Sequence, residues 1–135
     1  MTTPFGPQLI GETEKSLNAI LRSALRGTRL SEPQWVTLRL AGQLGVVDRR
    51  AFVVALADRA HFAEAAQLVD QLIERGLLEG GQLTADGRDL VESVQTVITD
   101  ATAPIWHDLT RDDVAAAERL LNEIVRRTRH ALATR

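Results

Sequence analysis

The stretch that most limits what this chain can fold into is LVDQLIERGLLEGGQLTADGRDLV, residues 68–91. Leu68, Val69, Leu72 and Ile73 recur at the spacing of one helix face, and Gly76 supplies the residue type that a left-handed helix stop favours. Leu77 to Thr84 then alternates around Gly80 and Gly81, the pattern of a hairpin closed by a two-residue turn. Thr84 can cap a following helix that presents Leu90, Val91, Val94, Val97 and Ile98, with Ala103 and Pro104 expected to interrupt it. A helix, a very short hairpin and a second helix must therefore share one apolar core.

The flanking sequence adds helices on both sides. Leu9, Thr13, Leu17, Ile20, Leu21, Ala24 and Leu25 form a stripe of helical period that should end near Gly27. Ser31 with Gln34 three residues on is a capping box, Pro33 fits the first turn, and Trp35, Val36, Leu38, Leu40 and Leu44 carry that helix to Gly45. Asp48 can cap a third helix through Phe52, Val53, Leu56 and Ala57, and a break near residues 60–62 gives it helix-turn-helix spacing to the fourth. Thr110 followed by Asp113 reads as another capping box, opening a last helix with Val114, Ala117, Leu121, Ile124, Val125 and Thr128 on one side. The fold class is mostly α with a small two-stranded β-wing: a winged helix-turn-helix with long terminal dimerisation helices. Residues 1–135 form one domain in this reading, with 31–87 as the winged core and 8–27 and 103–135 as helices that bury their stripes against a second copy.

Composition narrows the functional classes. At 135 residues the length suits one domain, and 44% hydrophobic content suffices for a packed core. The net charge of −2 gives no global attraction to nucleic acid, so any basic footprint must be local. Lys15 is the sole lysine beside fifteen arginines, a bias that coding composition explains better than selection of fifteen phosphate contacts does. With no cysteine there is no disulfide, thiolate metal site or thiol switch. No apolar run approaches a membrane span and no leader pattern is recognisable, so a cytoplasmic protein without a membrane partner is expected. His61, His107 and His130 lie far apart, and no Gly-rich phosphate loop follows a strand. Neither a catalytic residue, a metal ligand nor a cofactor is assigned, and an enzyme is not expected.

Three segments, LSEPQWVTLRLAGQLG from Leu30, the stretch from Leu68 to Val91, and APIWHDLTRDDVAAAERLLNEIV from Ala103, together resemble the MarR family of winged-helix transcription regulators. The resemblance implies a homodimer formed by the terminal helices, a recognition helix in the major groove of double-stranded DNA and a wing beside the minor groove. It also implies a small aromatic effector held between the dimer and DNA-binding parts. The departures are the wing, LLEGGQLT, which carries no arginine, and a recognition helix that starts about two residues late, with no capping side chain among residues 60–63.

The candidate DNA-binding residues are Arg49, Arg50, Arg59, His61, Glu64, Gln67, Gln71 and Arg88. With Leu68, Leu72 and Ile73 buried, Glu64, Gln67, Gln71 and Glu74 should face outward, where glutamines can pair with adenine and carboxylates can accept from cytosine. Between Ala60 and Gly87 a single arginine, Arg75, opposes Glu64, Asp70, Glu74, Glu79 and Asp86, a deficit of phosphate attraction. Arg49 and Arg50 are the best compensators, read either as phosphate contacts or as a solvated helix face. His61 could meet DNA or simply occupy the turn. Trp35, Arg39, Trp106 and His107 form the ligand hypothesis, flat apolar walls and a cation suited to an aromatic carboxylate; the competing reading is that the tryptophans fill the core. Arg126, Arg127, Arg129 and Arg135 give a positive end that complements a helix dipole or meets a partner. The alternative to a regulator is a degenerate winged helix serving as a protein-interaction or small-molecule-binding module.

Overall fold

Each helix start anticipated from an oxygen-bearing side chain is built that way in the computed structural model, which describes residues 2–135. The elements are α1 (Pro7–Ala24), α2 (Glu32–Leu44), α3 (Arg49–Ala60), α4 (Ala65–Glu74), β1 (Leu78–Glu79), β2 (Gln82–Leu83), α5 (Ala85–Trp106) and α6 (Arg111–Ala133). Ser31 accepts from the Gln34 amide while the Gln34 side chain accepts from the Ser31 amide, a complete capping box. Asp48 accepts from the Ala51 amide, and Thr84 from that of Gly87. Thr110 accepts from the Asp113 amide, so its half of the expected box forms.

The chain divides into two compact units, Met1–Thr102 and Ala103–Arg135. In the first, α2, α3 and α4 pack on one another, and the hairpin is held by α2 on β2 and α4 on β1. Trp35, Leu38, Phe52, Leu56, Val69 and Leu72 are fully buried at its centre, closed by Leu77, Leu78 and Val94. Val69 takes the deepest place on α4, whereas Leu68 and Ile73, expected in the core, are only half-buried. The buried face of α4 runs through Ala65, Val69 and Leu72, one step of the helix away from the expected centre. Arg75, the lone arginine of the acidic stretch, donates to the carbonyls of Thr28 and Arg29 and so ties the end of α4 to the loop after α1.

The hairpin turn is as short as the sequence required. Leu78 pairs with Leu83 and Glu79 with Gln82, leaving Gly80 and Gly81 as the turn, with Gly80 at φ +61°. Its tip is anchored to the rest of the fold. The Gly81 amide donates to the Val47 carbonyl at 2.9 Å, so the tip lies against the loop between α2 and α3. A Cβ on Gly81 would stand 2.7 Å from Cβ of the buried Phe52, and one on Gly80 would collide with the Val47 carbonyl. A turn of two glycines lets backbone meet backbone where any side chain would hold the two apart.

One expectation is corrected at Pro104. Helix α5 runs through it to Trp106 rather than breaking at Ala103 and Pro104. Proline this close to a helix end forfeits one hydrogen bond, and the carbonyl it leaves unpaired lies on an exposed stretch that water can serve. The chain turns instead at Asp108, whose φ of +66° is left-handed. In the second unit α6 buries no residue, and Val114, Leu120, Leu121, Val125 and Leu132 are exposed along it. No helix among the described residues is long and apolar enough to cross a membrane.

Candidate nucleic-acid interface

Helices α3 and α4 form the candidate interface, and the turn between them departs from the expected detail. His61 is the C-cap of α3 in a left-handed conformation, φ +57°, and its amide closes onto the Ala57 carbonyl. Histidine is among the few residues besides glycine that tolerate this region, which gives His61 a turn-making role while its side chain stays exposed. Helix α4 then starts at Ala65. Glu64, expected on the outward helical face, is instead the N-cap, and its carboxylate makes no capping bond. Helix α4 therefore opens without a side-chain cap.

The outward face of α4 carries Gln67, Asp70, Gln71 and Glu74, all exposed. Gln71 accepts from the Gln34 side chain at 3.2 Å, a strut from α4 to the start of α2 that leaves the Gln71 amide group free to donate. Asp70 is the residue that sequence reasoning missed. Its two oxygens receive Nε and Nη2 of Arg49 at 2.8 and 2.9 Å, a two-point ion pair between the first turn of α3 and the middle of α4. Hydrogen bonding to Arg49 holds the Asp70 carboxyl below its usual range, opposed by desolvation and aided to a lesser extent by the guanidinium charge. The same bond raises Arg49 further above its ordinary value. Asp70 lies three residues beyond Gln67 and four before Glu74, so its place on this face was already written in the helical spacing.

The other candidate arginines separate. Among the described residues no acid comes within ion-pair distance of Arg50 or Arg59, both exposed. Arg88 donates from Nη1 to the Leu83 carbonyl at 3.1 Å. It lines a groove of about 550 Å³ with Gly42, Leu83 and Val91, and with the carboxylates of Glu92 and Asp100. The lining thus carries two acids against one base, an arrangement that disfavours a bound carboxylate.

Of the ligand candidates, Trp35 lies in the core with 1% of its surface accessible, and Arg39 is half-buried on the same helix. Trp106 and His107 belong to the second unit, where both are exposed and His107 stands 3.4 Å from Asp108. None of these four lines the groove beside Arg88. Among the described residues no cluster of His, Cys, Asp or Glu has the makings of a metal site.

Residues 24–134 match the profile of a helix-turn-helix family. The chain belongs to that family. Solved structures of MarR regulators share its fold, as the three sequence segments implied. The MarR family protein Rv2887 of Mycobacterium tuberculosis, in complex with salicylic acid, is 25% identical, with 90% of this chain and 98% of that one covered at a TM-score of 0.66. The same mycobacterial protein in complex with DNA is 25% identical over 91% and 98% of the two chains, TM-score 0.61. NadR in complex with 4-hydroxyphenylacetate aligns at 22% identity over 87% and 92%, TM-score 0.70. None of the curated proteins compared with it is significantly similar in sequence. In this chain the hairpin tip is bonded to the loop between α2 and α3, and Arg49 of α3 is paired to Asp70 of α4.

Proposed function

We propose that this helix-turn-helix chain is a cytoplasmic transcription regulator, not an enzyme, that binds double-stranded DNA as a homodimer through α3 and α4. The observation that carries the reading is the outward face of α4, where Gln67 and Gln71 stand ready for adenine edges in a fold that a mycobacterial relative presents to DNA. Arg50 and Arg59 supply the unpaired cations for phosphates, which position a protein without specifying sequence. Dimerisation is supported by the exposed apolar stripe of α6 and the half-buried stripe of α1, since helices of this kind gain stability by burying such faces. Release by a small aromatic effector is supported by salicylic acid and 4-hydroxyphenylacetate in the similar structures. Arg39 and the exposed pair Trp106 and His107 are separate candidates for contacting such a molecule, with Trp35 acting only as core.

The experiment is a titration of the purified protein into a fluorescent duplex from its own upstream region and into a scrambled duplex, across several salt concentrations. A regulator prefers the native duplex and loses affinity steeply with salt. Equal, weak binding to both duplexes at low salt would sink the proposal.

A protein-interaction module is the second reading, and the hairpin favours it. A tip that packs on Val47 and carries no basic residue contributes nothing to a minor-groove contact. In that case substitution of Arg50 and Arg59 together leaves every duplex measurement unchanged.

A further inference from the structure

The Arg49–Asp70 pair places a carboxylate where the proposed function needs a free cation. Carboxylate and phosphate engage a guanidinium with the same two-point geometry, so a phosphate competes with Asp70 for the Nε–Nη2 edge of Arg49, and the carboxylate offsets the charge that would attract a phosphate to the remaining donors. The pair spans two helices, and its side chains are 43% and 60% exposed, so water and phosphate can reach it without any repacking of the core. Exposed pairs of this kind are held weakly, which makes exchange inexpensive. Asp70 shares its face with Gln67, Gln71 and Glu74, the surface offered to base edges.

We infer that Asp70 masks Arg49, and that the two form a specificity switch on the DNA-facing surface. On a non-cognate duplex the carboxylate stays beside the guanidinium and weakens its phosphate contact. On a cognate duplex a base-edge donor, the N4 amino group of cytosine, takes over Asp70, and Arg49 is released to a phosphate. The acid thus lowers general affinity more than specific affinity. This inference rests on the DNA-binding reading and adds to it a named residue pair and the base chemistry that opens it.

Asp70→Asn preserves side-chain volume and removes the charge, and Asp70→Ser serves as a second variant should the first fold poorly by circular dichroism. Both are titrated into the native and scrambled duplexes beside the unaltered protein and the double variant Arg49→Ala with Asp70→Asn. The expected result is a gain of about tenfold on scrambled duplex and a smaller gain on native duplex. The salt dependence on scrambled duplex should steepen by about one unit of log K against log salt, the signature of one added phosphate contact. The double variant should lose that gain. If the gain survives in the double variant, removal of negative charge alone explains it and the masking is overturned. Unchanged affinity of Asp70→Asn, while the unaltered protein still prefers its native duplex, overturns the masking and leaves the DNA-binding reading standing. Absence of duplex binding by every form at low salt removes both.

Discussion

Replacing Gly81 by alanine tests whether the hairpin tip is an internal strap or a projecting wing. Gly81 lies outside the left-handed region, so its own backbone conformation is open to alanine and the substitution isolates a contact. The added Cβ would stand 2.7 Å from Cβ and 3.2 Å from Cγ of Phe52, and would press on the Val46 carbonyl. Carbon atoms prefer about 3.5–4.0 Å, and Phe52, with no accessible surface, has nowhere to withdraw. Holding the tip in place means overpacking, which costs about 1–3 kcal/mol. Backing the tip away gives up the bond from the Gly81 amide to Val47 and leaves a buried donor unpaired, also about 1–3 kcal/mol. These are alternative relaxations rather than additive ones, so the expected loss is about 2–3 kcal/mol. The assay is urea unfolding followed by tryptophan fluorescence at fixed protein concentration, where the midpoint should fall by about 1 M or more with the slope unchanged. A loss below about 0.5 kcal/mol, the range of ordinary surface substitutions, would refute the reasoning and restore a projecting wing.

Gly87→Ala should destabilise by a similar few kcal/mol, again read in urea, because its Cβ would collide with the Leu77 carbonyl at the foot of the hairpin. Ser31→Ala removes the donor-satisfying half of the α2 capping box and should cost about 1 kcal/mol, seen as a lower thermal midpoint. The depressed Asp70 carboxyl contributes stability that is present above the ordinary carboxylate range and disappears as pH falls through its lowered value. Acid titration by NMR should therefore show Asp70 among the last carboxylates to protonate, and Arg49→Ala should return it to the usual range. Leu121→Glu with Val125→Glu places charge on the exposed α6 stripe and should convert a dimer to monomer by light scattering, with unchanged mass speaking against α6 as the interface.

Local chemistry was the legible part of this chain. The Ser31–Gln34 box, the Asp48 and Thr84 caps, the left-handed Gly76 and the Gly80–Gly81 turn each depend on neighbours within a few residues, so spacing alone revealed them. The site was less legible because its decisive contacts join distant segments. Arg49 meets Asp70 twenty-one residues away, and Gln34 meets Gln71 across thirty-seven. The inward fold of the hairpin depends on the Val46–Val47 loop, which nothing within the hairpin's own sequence announces. Pro104 misled for the opposite reason: a strong local rule about helix breaking meets a helix end where its penalty is small.

The two tryptophans give the chain a built-in pair of optical reporters. Trp35, in the first unit with 1% exposure, should emit toward the blue and resist a soluble quencher, whereas Trp106, in the second with 53%, should emit toward the red and be quenched readily. Since tyrosine is absent, every photon of intrinsic emission above the phenylalanine region comes from one or the other. Single Trp→Phe variants would then let one unit be watched while the other stays dark, and would show which of them loosens first under heat or denaturant.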